Sequence, residues 1–167
     1  MTQFEDFTEL VDSELRDILT PRKLPLYDMM LYHFGWDETP APTTPPQHRK
    51  LGILTLASTM ANKRDPKTAI PAAAAVEFVD KFCEIHDDVQ GGKPKRGNRD
   101  AVWWVWGPAQ AINTGDGMHA MARISLFRLL DRDVNARRTF DVVQLLDRAS
   151  LRVCEGRFLD IQAQERI

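Results

Sequence analysis

Apolar side chains return at three- and four-residue steps through almost the whole chain, and the pattern breaks only at clusters of proline and glycine. That spacing lines one face of a helix, and no stretch shows the two-residue alternation of a half-buried strand. Phe4, Phe7, Val11, Leu15 and Ile18 predict an amphipathic helix over residues 4–19. Thr20-Pro21 reads as an N-cap with proline at the first helical position of a second helix, which runs to about His33 and ends at Gly35. Pro40, Pro42, Pro45 and Pro46 among threonines make 36–46 a stiff linker.

Helix resumes after Pro46 to about Ala61, breaks at Asn62–Pro66, and returns from Lys67 to Asp88. That segment carries Ala72-Ala73-Ala74-Ala75, whose small side chains permit close helix–helix approach, and Gly91-Gly92-Lys93-Pro94 stops it. Residues 99–130 read as helix with an irregularity at Gly107-Pro108, where proline removes a backbone donor. A last helix covers about Asn135 to Gln164. The expectation is an all-α fold: a helical hairpin over 1–35, the linker 36–46 and a helical bundle over 47–167.

At 167 residues the chain suffices for one sizeable core. A net charge of −2 gives no general attraction to nucleic acid or to a membrane surface, so anion binding has to be local. Cys83 and Cys154 show no metal spacing and read as reduced thiols. No apolar run approaches the ~20 residues of a membrane span, and the N-terminus is acidic. These features lead us to expect a soluble, cytoplasmic protein that neither spans a membrane nor binds nucleic acid.

The chemistry concentrates at Glu84-Ile85-His86-Asp87-Asp88. Adjacent aspartates at a helix end, followed by Lys93, Lys95, Arg96 and Arg99, bring cation ligands and anion ligands together. Carboxylate oxygens hold a hard divalent ion, the ion bridges to phosphate oxygens, and Arg and Lys neutralise the remaining charge. The combination suits a Mg²⁺–diphosphate site. The alternative is a solvated helix end with a charged loop. Glu77, Asp80, Glu84 and Asp88 form an acidic stripe at helical spacing, with a solvent-facing edge as the plain reading for Asp80 and Glu84. His33, His48 and His119 have no partners at ligand spacing, and His86 reads as a packed histidine.

From about residue 45 onward the chain resembles the N-terminal half of a trans-isoprenyl diphosphate synthase, the polyprenyl synthetase family. Ala73-Ala74-Ala75-Val76-Glu77 is similar to the family's alanine-rich helix, and Ile85-His86-Asp87-Asp88 matches the start of its first aspartate-rich motif, usually DDxxD. Arg96 falls on the first of the paired arginines. Val102-Trp103, Trp106-Gly107, Gln110-Ala111-Ile112-Asn113 and Gly115-Asp116 follow the next helix, and Glu155-Gly156 with Asp160 falls on GQxxD.

The resemblance implies a helical bundle around a cavity in which Mg²⁺ grips an allylic diphosphate. Its ionisation yields a carbocation that isopentenyl diphosphate attacks. It further implies Asp87 and Asp88 as catalytic and metal-binding residues, with Glu84 as a substitute third carboxylate. Arg96, Lys95, Arg99, Arg49, Lys50, Gln110, Asn113 and Arg157 become candidate substrate contacts. Phe82 and Cys83 stand where the family sets product length.

Several positions depart from the pattern. Gly91 replaces the third aspartate, and Gly97 the second arginine unless Lys95-Arg96 is the pair shifted by one position. Arg157 replaces the glutamine of GQxxD, as a diphosphate contact or an ordinary salt bridge, and the basic signature is blurred at Pro46-Gln47-His48-Arg49-Lys50. The family's chains are much longer, and the second aspartate-rich motif lies in the part without a counterpart here. The cavity wall and metal cage are therefore incomplete, and Val102, Trp103, Trp104 and Trp106 are candidates for a surface that requires a partner. Three expectations stay open: a synthase assembled as a homodimer or with a second prenyl-synthase-like subunit, a non-catalytic subunit of a full-length synthase, or a truncated inactive remnant.

Overall fold

The computed structural model of the protein describes residues 3–36 and 49–165. Seven helices dominate: α1 (Gln3–Leu19), α2 (Pro25–Phe34), α3 (Lys50–Ala61), α4 (Ile70–Gln90), α5 (Val102–Trp106), α6 (Pro108–Phe127) and α7 (Ala136–Glu165). Short 3₁₀ turns join α3 to α4 (Pro66–Ala69) and α6 to α7 (Arg128–Arg132). The predicted all-α class holds. Most of the expected linker, together with Pro46, Gln47 and His48, lies outside the described residues.

Helix α4 is the axis of the bundle, packing against α1, α3 and α6. Ala73, Ala74 and Ala75 are fully buried, so neighbouring backbones approach closely, and Phe78 and Ile85 continue the buried face. On α6, Gly115 meets this axis where a Cβ would stand 2.3 Å from the His86 ring. Only glycine lets the two helices close there. Helix α1 contributes Phe7, Val11, Leu15 and Ile18, as its spacing predicts, together with Leu19.

Two differences from the sequence reading have local causes. Helix α2 begins at Pro25 rather than Pro21. Leu24 is extended (φ −77°, ψ 147°), the conformation a following proline imposes, while the Thr20 hydroxyl turns back to the Arg16 carbonyl. At its far end Gly35 takes φ +78° and its N–H reaches the Tyr32 carbonyl, with Trp36 N–H to Leu31, a left-handed helix stop.

The second difference is a small antiparallel hairpin, β1 (Lys95–Arg96) and β2 (Arg99–Asp100), where the sequence shows no strand alternation. Two residues a side are too few to alternate. Its signature is the turn dipeptide Gly97-Asn98, with Gly97 at φ +59°. The hairpin turns the basic segment back across the end of α4.

Candidate functional site

The site lies where the last two turns of α4 meet the hairpin on one side and α7 on the other. Spacing puts Glu84 and Asp88 on one face of α4, as expected, and the hairpin folds Arg96 onto that face. The Arg96 guanidinium donates to both Asp88 oxygens (2.9 and 2.8 Å) and to the Glu84 carbonyl (3.0 Å). The Asp88 side chain is only 3% exposed. A forked arginine–carboxylate pair of this kind satisfies the buried charge.

Glu84 anchors a second set of contacts. Lys81 Nζ donates to it at 2.9 Å, His33 Nε2 lies at 3.1 Å and Arg96 Nη1 at 3.7 Å. Burial pushes the Glu84 carboxyl up, but the His33 hydrogen bond and the Lys81 charge outweigh it and hold the group at about 2. Burial lowers the pKa of His33, and its hydrogen bond to Glu84 opposes that shift. Lys81 reaches Asp80 as well, at 3.1 Å.

Glu84 thus does not stand on a solvent-facing edge, whereas the Asp80 side chain, 38% exposed, stays open to solvent. Glu77 is buried and accepts the Gly52 N–H at 2.8 Å. Burial raises its pKa, and the Gly52 hydrogen bond opposes the shift.

Asp87 faces the other way, into a groove of about 240 Å³ between α4 and α7. Phe82, Val153, Phe158 and Ile161 supply its apolar walls, with Cys83, His86, Gln90 and Cys154 between them. Across this groove Arg157 of α7 pairs with Asp87 through Nη2. The Cys83 thiol is pushed up to about 11 by burial, reinforced by the charges of Asp87 and Asp80, and stays protonated. Phe82 stacks edge-on to His86 (4.7 Å between centroids), whose Nε2 lies 3.3 Å from the Ile112 carbonyl and 3.6 Å from Asp116. His86 is a packed histidine, as read from the sequence.

The remaining candidates scatter. Lys95 is exposed and 4.0 Å from Asp100. Arg99 lies over the Tyr32 ring, 4.2 Å from its centroid. Arg49 and Lys50 do not form a surface cluster: Arg49 turns inward to Asp12 beside the stacked Phe34 and Trp36 rings, and Lys50 faces solvent. Gln110 and Asn113 sit one turn apart on the exposed face of α6. Of the expected tryptophan surface, Val102 is buried and Trp103 donates its indole N–H to the Lys93 carbonyl at 2.6 Å, while Trp104 remains open.

His33 and Lys81 were not among the sequence candidates. Lys81 was legible as the i,i+3 partner of Glu84, whereas His33, 51 residues from Glu84, left no local signal.

Among the described residues no three His, Cys, Asp or Glu side chains converge as a metal site. Asp88 and Glu84 are committed to cations on one side of α4, and Asp87 alone faces the groove. Mg²⁺ is held through one or two free carboxylates with water and phosphate oxygens. Here Glu84, Asp87 and Asp88 are each already paired with a cation, so these residues do not by themselves fit the Mg²⁺ that the resemblance implies.

Residues 46–167 match the polyprenyl synthetase family. The chain is similar to geranylgeranyl diphosphate synthase of Mycobacterium tuberculosis (37% identical over 138 residues, 81% of this chain and 38% of the relative). It is also similar to short chain isoprenyl diphosphate synthase of Methanocaldococcus jannaschii (33% over 109 residues, 65% of this chain and 32% of the relative). The crystal structure of polyprenyl synthetase from Streptomyces coelicolor A3(2) superposes with a TM-score of 0.82 at 31% identity, covering 95% of this chain and 46% of that one. The chain spans about a third of the length of the curated relatives and about half of the solved structure. No helix among the described residues is long and apolar enough to cross a membrane.

Proposed function

The chain belongs to the polyprenyl synthetase family, and from that premise we propose that it supplies one half of a prenyl-transfer site. The other half comes from a second helical body: a second copy, a prenyl-synthase-like subunit, or further sequence of a longer polypeptide. The substrates are an allylic diphosphate and isopentenyl diphosphate. In the reaction the allylic C–O bond breaks and its electron pair leaves with the diphosphate. The isopentenyl double bond then forms the new C–C bond, and a proton is lost to restore the alkene.

The observation that carries this reading is the α4–α7 groove, where an apolar trough ends at a carboxylate and a guanidinium. An apolar wall shields a carbocation from water, and a guanidinium neutralises charge building on a departing diphosphate. Arg157 is the head-group contact in the groove, and Lys95 and Lys50 are further exposed cations. Gln110 and Asn113 offer polar contacts on α6. Phe82 and Cys83 bound the groove, so their bulk limits the length of prenyl chain it holds. No step is assigned to a metal on this chain alone. A family requirement for Mg²⁺ is met only if the second body contributes further ligands.

The test is turnover of labelled isopentenyl diphosphate with a panel of allylic diphosphates and Mg²⁺, comparing the folded chain with Asp87→Ala. Product that falls at least about 100-fold in the variant supports the reading, because Asp87 is the carboxylate this chain would offer to a Mg²⁺ completed by the second body. Product unchanged by Asp87→Ala overturns it.

A second reading, a non-catalytic subunit of a full-length synthase, draws on the engagement of Asp87 and Asp88 by arginines and on Gly91 in place of a third carboxylate. Stable association with a full-length synthase, with activity indifferent to Asp87→Ala, would favour it.

A further inference from the structure

Two adjacent carboxylates at the C-terminal end of α4 face the negative end of the helix dipole and repel each other, so each needs a compensating positive charge. For Asp88 that charge is Arg96 of the hairpin. For Asp87 it is Arg157, which reaches across from α7, 70 residues away in sequence. The pair is semi-enclosed (side chains 19% and 40% exposed) and borders the apolar walls of the groove formed by Phe82, Val153 and Phe158. A cation bound to Asp87 from the groove side would have to take the space the guanidinium fills. With the guanidinium gone, Asp87 would be the carboxylate anchor, and water completes the shell of a divalent ion held by one or two carboxylates.

We infer that Arg157 is the resident counter-cation of Asp87: this chain carries the positive charge of the groove as a guanidinium and loads no divalent ion there on its own. The reasoning rests on the α4–α7 groove as the head-group site proposed above, and it makes residue 157 the determinant of whether metal binds ahead of an anion. Replacing Arg157 with glutamine, which keeps a polar side chain but removes the charge, leaves Asp87 free to attract a cation. Lysine restores the charge and should restore the exclusion.

The experiment is a titration of the purified chain with Mn²⁺, followed by electron paramagnetic resonance and calorimetry with no organic substrate present. It compares the native chain, Arg157→Gln, Arg157→Lys and the double variant Arg157→Gln/Asp87→Asn, each first shown folded by circular dichroism. The expected result is roughly two- to fivefold tighter Mn²⁺ binding by Arg157→Gln than by the native chain, the range set by a partly exposed ion pair. Arg157→Lys should bind like the native chain, and Asp87→Asn should remove the gain. Equal binding by the native chain and Arg157→Gln, including no binding by either, overturns the inference, as does a gain that survives Asp87→Asn. Turnover is scored separately, so failure here leaves the prenyl-transfer reading standing.

Discussion

Helices α4 and α7 are the two longest in the molecule and both are rich in apolar residues, yet they meet opposite fates. Helix α4 buries alanines, Phe78 and Ile85 between neighbours on several sides. Helix α7 leaves Phe140, Leu145, Leu151, Phe158 and Leu159 each more than half exposed, and the residues it buries are Thr139 and Ser150. Apolar periodicity alone does not make a core helix. What differs is the number of neighbours the described chain provides, and a contiguous apolar face of this kind calls for another surface. The limited coverage of the relatives fits that picture, because the chain superposes on only 46% of the Streptomyces structure.

Mutations sharpen the contrast. Phe78→Ala on α4 should cost about 3–5 kcal/mol in chemical denaturation, since it opens a cavity that fixed neighbours cannot close. A loss below about 1 kcal/mol would mean that α4 is not the packing axis.

The charged end of α4 gives the next effect. Glu84 is held near 2 in the folded chain against an ordinary 4.5, so the unfolded chain takes up its proton first as pH falls. The stabilisation is complete above 4.5 and is lost between there and about 2, amounting to roughly 2 kcal/mol after allowance for partial exposure. The lowered pKa of His33 acts in the same direction from 6.5 downward, because protonating the buried ring favours unfolding. Urea midpoints followed from pH 7 to 3 should fall, and Glu84→Gln should flatten the lower part of that curve.

Gly115→Ala forces the His86 ring to move and should destabilise by about 1–2 kcal/mol. An unchanged midpoint would show that α4 and α6 separate easily there. Smallest of all, Phe158→Ala and Leu145→Ala on α7 should shift the midpoint by no more than about 0.5 kcal/mol, as exposed positions do. If either costs as much as Phe78→Ala, the α7 face is covered in solution and the contrast with α4 fails.

Much of this was readable in advance. The helix breaks at Gly35, Asn62–Pro66, Gly91-Gly92 and Gly107-Pro108 act through backbone geometry at the residue itself, so local sequence locates them. The start of α2 was misplaced because Pro21 and Pro25 both satisfy the same N-terminal rule, and only the extended Leu24 chooses between them. The alanine run follows from small side chains at helical spacing, whereas the approach of Gly115 to the His86 ring was visible only in the structure.

The site was legible only in part. Glu84 and Asp88 share a face of α4 as their spacing predicts, whereas Asp87 turns to the groove on the other side, and Arg96 was named without its partner. Arg49 looked like part of a basic surface signature, but the fold turns it toward Asp12 and the Phe34 ring.

The sequence by itself determined the helices, their breaks, the family and the identity of the charged residues, because those depend on neighbours within a few positions or on motifs kept in order. Only the tertiary structure decided which charges meet: Arg157 with Asp87, Arg96 with Asp88, and His33 with Glu84. Coulomb attraction and desolvation depend on distance through space, and no local pattern encodes how far apart two residues lie once α2, the hairpin and α7 have folded against the end of α4.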